Sequence, residues 1–271
     1  MAGKLYIVPT PVGNLKDVTF RAIEVLKNSD YIYCEDTRTS AVFLNFYEIS
    51  APRRSFHKFN ENSKIDEIIS LVKDGKNVSV ISDAGTPGIS DPCGTLVRAL
   101  EPDLITTLPG ATAFVPAIVN SGLPTDNFKF IGFLPPKKSD RQKALRKLEA
   151  EEATLIFYES PHRIDEMLES LQEIFGDRNA AIVREISKVH EETIRFNLKD
   201  LPLNRELKGE IVVVVKGASP KEFDIYPYVD ELLNENISKR DILNKIKAEF
   251  PNENIKRNDI YKYILEKNKV V

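Results

Sequence analysis

Cysteine is scarce: Cys34 and Cys93 are the only two in 271 residues, too few for a disulfide framework or a cysteine zinc site. The three histidines, His57, His162 and His190, stand far apart without ligand spacing, so no metal is expected. No apolar run approaches the ~18–20 residues that cross a bilayer. The opening MAGKLYIVPT lacks an apolar stretch leading to a cleavage site, and the expectation is a cytoplasmic protein without a membrane partner. A composition of 42% hydrophobic and 29% charged residues excludes wholesale disorder. The net charge of -3 disfavours nucleic-acid binding through bulk charge, but it conceals two basic patches. Lys137, Lys138, Arg141, Lys143, Arg146 and Lys147 are opposed only by Asp140, and from Ile237 onward nine Lys/Arg face five Asp/Glu.

The first part of the chain alternates short apolar runs with helical patterns. LYIVP, YIYCE, NVSVISD and LITTLP read as strands, and Thr19–Asn28 as an amphipathic helix beginning near Asp17, a good N-cap. Strands separated by helices predict βαβ crossovers and a mostly parallel sheet, whose ligands collect beyond the strands' carboxyl ends. A boundary is expected in the turn-rich SGLPTDNF, giving an α/β domain at 1–122, a second α/β domain at 123–220 and a helical tail at 221–271. In the second domain FKFIGF, TLIFYES, NAAIVRE, ETIRFNL and GEIVVVVKG read as strands, with helices near 139–150 and 162–175. The short polar link between the last two strands predicts antiparallel neighbours and a mixed sheet.

The most unusual segment is SDAGTPGISDP, Ser82 to Pro92. Gly85 and Gly88 let the backbone approach a ligand while Pro87 and Pro92 stiffen its path. It is neither a P-loop nor GxGxxG, which disfavours phosphate cradling and leaves a nucleotide-like or amino-acid-like ligand. PTPVGNLKD and LPGATA are loops of the same kind after other strands, and three such loops would surround one pocket. Charged groups recur after strand ends: EDTR offers Asp36 as a proton acceptor and Arg38 for a phosphate or carboxylate. YESPHR places Glu159 and Arg163 near the cleft, Pro161 at a helix start and a titratable His162, and REISKVHEE adds Lys188 and His190.

Taken in order, PTPVGNLKDVT, EDTR, SDAGTPGISDP, LPGATA, SGLPTDNFKFIGFLP, TLIFYESPHR and REISKVHEE resemble the bacterial 16S rRNA cytidine-2′-O-methyltransferases, of the tetrapyrrole-methylase-like superfamily. The resemblance runs from about Lys4 to Gly217, and the tail resembles that family's small C-terminal helical domain. It implies two α/β domains with S-adenosylmethionine in the cleft between them, a homodimer, and methylation of cytidine 1402 in the decoding region of the small ribosomal subunit. Cofactor contacts carried over by position are Pro9, Asp83, Ala84, Gly85, Thr86, Ile89, Ser90, Ala111, Thr112, Phe157 and Tyr158. EDTR, YESPHR and REISKVHEE would face the RNA. The chain departs from the family pattern at Cys93, at Ala111-Thr112, at Phe59 and at Pro136.

Placement at strand ends gives the expected proton acceptors, in order, as Asp36, His190, Glu159 and His162. Arg38, Arg163 and Lys188, with Lys137, Lys138 and Arg141 of the basic patch, are expected to hold RNA phosphates. Two other readings stand beside this one: a methylase of a small tetrapyrrole or corrin, which needs no basic tail, and a non-catalytic RNA-binding factor on the same fold.

Overall fold

A computed structural model describes residues 2–57, 60–219, 224–235, 237–251 and 255–267. Phe59 lies outside them. The chain forms two compact units, Met1–Ala218 and Ser219–Val271. The larger contains two five-stranded sheets.

The first sheet is built from β1 (Leu5–Ile7), β2 (Tyr31–Cys34), β3 (Arg53–Ser55), β4 (Val78–Ile81) and β5 (Ile105–Thr107). All pair in parallel in the order β3-β2-β4-β1-β5. Alternate residues on each strand supply two separate cores. Leu5, Ile7, Tyr33, Val78 and Val80 pack against α3 (Glu61–Lys73) and α4 (Gly94–Ala99), while Ile32, Cys34 and Ile81 pack against α1 (Phe20–Lys27) and α2 (Thr37–Phe46). The helix expected from Asp17 begins instead after Thr19, whose Oγ1 accepts the Ala22 N–H, and Asp17 closes a short 3-10 turn. Strand β3 has no apolar pattern to announce it. It is an edge strand held by its neighbours: Arg54 stacks 4.1 Å from the Tyr31 ring and ion-pairs with Glu67.

The second sheet comprises β6 (Phe128–Phe133), β7 (Thr154–Glu159), β8 (Asn179–Arg184), β9 (Glu192–Asn197) and β10 (Ile211–Val215), ordered β6-β7-β10-β8-β9. It is mixed, with only β6 and β7 parallel. The expected pairing of β9 with β10 is wrong: β10 inserts between β7 and β8, and β9 pairs with β8 alone. Burial explains the order, because Ile-Val-Val-Val-Val is buried at every position and belongs in the centre, whereas β9 alternates and tolerates an edge. One face carries α6 (Lys138–Arg146) and α7 (Ile164–Phe175). The other carries α5 (Phe114–Ser121), whose Ala117 and Ile118 pack on Val183, Val212 and Val214. Thus α5 follows the first sheet in sequence but packs on the second. Pro161 lies in a turn, two residues before the N-cap Arg163 of α7, rather than at the helix start.

The smaller unit consists of α8 (Tyr226–Asn234), α9 (Lys239–Glu249) and α10 (Arg257–Lys267) around a core that includes Val229, Ile242, Ile246 and Ile264. Ser238 caps α9 by accepting the Asp241 N–H.

Candidate active site

Three loops leave the carboxyl ends of the adjacent strands β4, β1 and β5 and are stitched together. The Thr10 N–H donates to the Gly85 carbonyl at 2.9 Å, and the Gly85 N–H returns a bond to the Thr10 carbonyl at 3.0 Å. On the far side the Thr86 hydroxyl donates to the Ala111 carbonyl at 2.9 Å. Gly85 sits at φ +79°, a left-handed conformation that side chains disfavour. At Gly110 a Cβ would lie 2.5 Å from the Pro9 Cβ, so glycine permits this approach of the loops after β1 and β5.

The joined loops form one wall of a cavity of about 370 Å³, within the ~300–1,000 Å³ typical of small-molecule sites. The other wall comes from the second sheet: Tyr158 and Glu159 close β7, and Gly209 to Val212 lead into β10. Val12, Ile89, Ala113, Phe133, Tyr158 and Ile186 make much of the lining apolar. Tyr158 is held edge-on by Phe130 and Phe133, with centroids 4.9 and 5.7 Å away.

The polar lining is acidic. Glu35, Asp83, Asp91, Glu159 and Glu210 border the cavity, and no Lys, Arg or His does among the described residues. Two of the five are neutralised: Arg163 donates to Glu159 Oε1 through Nε at 2.9 Å and Nη2 at 2.5 Å, and Lys188 donates to Glu210 at 2.7 Å. The other three all have raised pKa values, with burial the largest cause of each. Burial, with the charges of Glu35 and Asp83 added, pushes the Asp91 carboxyl up to about 7. Glu35 is raised by burial and by Asp83, and Asp83 by burial and by Asp36, although the Asp36 N–H donates to it at 3.1 Å. Such a lining disfavours an anion and favours a ligand carrying positive charge. Among the described residues no group of His, Cys, Asp and Glu is placed to hold a metal ion.

Of the residues expected to touch a cofactor, Asp83, Ala84, Gly85, Thr86, Ile89, Ser90, Thr112 and Tyr158 line this cavity. Three others do not. Pro9 packs against Gly110, Ala111 has its carbonyl occupied by Thr86, and Phe157 alternates away from Tyr158 into the core behind β7. Among the expected proton acceptors only Glu159 borders the cavity, and its side chain, 1% exposed, is committed to Arg163. His162 and His190 are exposed and outside the lining. Asp36 is the N-cap of α2 and accepts the Arg38 N–H at 2.7 Å; Arg38 is exposed. Glu35 and Asp91 were not among the candidate site residues of the sequence, although Glu35 opens EDTR and Asp91 is the last residue but one of SDAGTPGISDP.

The basic patch divides. Lys137, Lys138, Lys143, Arg146 and Lys147 are exposed, with Lys138 paired to Glu173 at 3.1 Å. Arg141 corrects the expectation of an RNA contact: it is 1% exposed and donates to Ser170 Oγ, the Pro136 carbonyl and Glu166. It lies one helical turn before the buried Leu145, on the inward face of α6. Arg141→Leu is therefore expected to lower stability by about 1–3 kcal/mol in urea unfolding, since the Pro136 carbonyl loses its donor, and to leave the salt dependence of RNA binding unchanged.

Residues 4–202 match the family model of the tetrapyrrole (corrin/porphyrin) methylases. The ribosomal RNA small subunit methyltransferase I of Bacillus subtilis (strain 168) is 42% identical over 227 residues, covering 82% of this chain and 78% of its own. The protein of the same name from Escherichia coli O157:H7 is 38% identical over 277 residues, covering 97% and 95%. The one from Thermotoga maritima is 43% identical over 223 residues, covering 79% of this chain and 99% of its own. Among solved structures, the methyltransferase CobJ superposes with a TM-score of 0.61 at 20% identity, over 82% of this chain and 97% of CobJ. Uroporphyrin-III-C-methyltransferase from Thermus thermophilus gives 0.55 at 20% identity, over 80% and 93%. The two solved structures support the fold alone.

Proposed function

The chain belongs to the tetrapyrrole (corrin/porphyrin) methylase family and, within it, to the ribosomal RNA small subunit methyltransferase I group, and from this we propose its reaction and substrate. It is an rRNA methyltransferase that draws its methyl group from S-adenosylmethionine. The finer reading is transfer to the ribose 2′-hydroxyl of cytidine 1402 of 16S rRNA, by a cytoplasmic homodimer. The observation that carries the donor assignment is the stitched, glycine-bearing cavity with its cation-favouring lining. Apolar walls suit an adenosine and a thioether chain, and backbone groups between Asp83 and Ser90, with Thr112, suit their polar edges.

When bound, S-adenosylmethionine supplies an electrophilic methyl on a positively charged sulfur. The protein's share is alignment and exclusion of water. Tyr158, fixed by Phe130 and Phe133, stiffens one wall, and the Thr10–Gly85 bridge fixes the other. Unpaired carboxyl groups keep a sulfonium favoured over an anion. The exposed cations of α6 support RNA binding, as do Arg240, Lys247, Lys256, Arg257 and Lys262 of the smaller unit, each phosphate contact steepening the salt dependence. The target nucleotide must be unstacked or already single-stranded for its 2′-hydroxyl to enter a cleft. Val115 and Val119, 49% and 65% exposed on α5, support an apolar contact between subunits.

The test is transfer of labelled methyl to small ribosomal subunits prepared without the modification, with the product mapped by nuclease digestion and mass spectrometry. The expected result is one 2′-O-methylcytidine per subunit and no label in tetrapyrroles. Label on a base, on a tetrapyrrole or nowhere contradicts the reading.

A further inference from the structure

We propose that the carboxylate of Asp91 accepts the proton of the RNA hydroxyl as that hydroxyl is methylated, its position in the acidic corner of the cavity placing a free acceptor beside the methyl donor. This rests on the reading of the cavity as the donor site.

Accessibility selects Asp91. A proton acceptor must border the cavity and have no cation or N–H donor bonded to its carboxylate to lower its basicity. Glu159 and Glu210 border it but are tied to Arg163 and Lys188. Asp83 accepts the Asp36 N–H. Among the described residues no hydrogen bond or ion pair occupies Glu35 or Asp91. Of these two, Glu35 follows β2 of the first sheet and feels the charge of His57, whereas Asp91 lies nearer the second sheet, its charge felt by Tyr158 on β7. The neighbouring Ser90 lies close to the second sheet: a Cβ at Gly132 of β6 would lie 3.3 Å from Ser90 Oγ. Ser90 itself adopts φ +71°, a conformation that non-glycine residues occupy only where the surroundings impose it, and such strain collects at functional sites. The loop thus approaches the second sheet at Ser90, with Asp91 next to that approach.

The step balances. The hydroxyl oxygen forms its bond to the methyl carbon as the bond from carbon to sulfur breaks. Sulfur keeps that electron pair and becomes a neutral thioether, and the hydroxyl proton passes to Asp91 and then to solvent. An ordinary aspartate is a weak base. Asp91, raised to about 7 by burial and by Glu35 and Asp83, has the basicity of a general base working near neutral pH. The groups facing it are Glu35 with His57 behind it, Asp83 on its own loop, Tyr158 on β7, the paired Glu159 and Glu210, and Cys93 with Glu61 beyond.

The experiment compares wild type, Asp91→Asn and Asp91→Glu in single-turnover methyl transfer to small subunits with saturating donor, alongside calorimetry with S-adenosylmethionine. Asp91→Asn is expected to lower the rate by about 10²–10³-fold and, since Glu35 and Asp83 keep the lining acidic, to raise the donor Kd by about 10-fold or less. Asp91→Glu should recover part of the rate. The wild-type rate should climb through about pH 7 and level off, and Asp91→Asn should lack that step. A second readout concerns folding. The folded-state pKa lies above the unfolded one, so the folded protein binds the extra proton between about pH 4 and 7 and loses that stability as the pH rises through this window. Asp91→Asn should therefore gain thermal stability over wild type as the pH rises from about 4 to 8. Unimpaired transfer by Asp91→Asn, or a donor affinity that falls as far as the rate, overturns the proposal while leaving the reaction intact. A wild-type protein that transfers no methyl to ribosomal RNA overturns the underlying reading and this proposal with it.

Discussion

Arg163→Ala is expected to destabilise the larger unit by about 3–5 kcal/mol at neutral pH, because it leaves the Glu159 carboxylate buried without its cation. The Glu159 side chain is 1% exposed, and both bonds from Arg163 converge on one of its oxygens; the Ser160 N–H, at 2.8 Å on the same oxygen, is the partner that would remain. For a unit of this size that is a fall of roughly 6–20 °C in Tm. Removing both partners, with Glu159→Gln added to Arg163→Ala, should restore much of the loss, since no buried charge is then left alone. Urea unfolding of the four proteins of the cycle measures this. A loss below about 1 kcal/mol, the range of an exposed pair, would free Arg163 for the phosphate-binding role that its place in YESPHR suggests.

Gly85→Val should have the second large effect, this time on the donor. At φ +79° any side chain carries a strain of about 1–2 kcal/mol. The position also has little room: a Cβ lies 3.6 Å from the Ala111 carbonyl, 3.9 Å from Val12 Cγ2 and 4.0 Å from the Thr112 Cα. A single methyl fits at contact distance, so Gly85→Ala should show mainly the backbone strain. The branched valine must intrude on Val12 and Thr112, both in the cavity lining, and donor affinity is expected to fall by about 100-fold or more, some 2.7 kcal/mol. Calorimetry with S-adenosylmethionine checks this, with circular dichroism to show that the fold survives. Equal donor affinities for wild type and Gly85→Val would place the donor elsewhere.

Much of this architecture was legible in the residues. Strands buried on both faces, such as Val78–Ile81, read as short β-branched runs, and the loops after them were marked by Gly85, Gly88 and Gly110 where the backbone turns left-handed or another loop presses close. What escaped depended on long-range packing. Arg53–Ser55 has no pattern of its own and is a strand because Ile32 to Cys34 lie beside it. The insertion of β10 between β7 and β8 follows from its uniform burial, which a short link to β9 obscured. Arg141 counted as one more charge in a basic run, although its i, i+4 relation to Leu145 already placed it on the inward face. Asp91 was hidden for a different reason. Its environment is made by Glu35, Asp83 and Tyr158 from three separate strand ends, and nothing local to SDAGTPGISDP announces that they meet. The histidines drew notice for their intrinsic chemistry, yet the fold leaves His162 and His190 in solvent.

The most direct measurement is a crystal structure of the protein with S-adenosylhomocysteine, the product left after methyl transfer. The account requires density between the loop Asp83–Ser90, Thr112 and Tyr158, in contact with Gly85, with the sulfur turned toward Asp91. Density at any other place, with Gly85 and Thr112 uncovered, contradicts it.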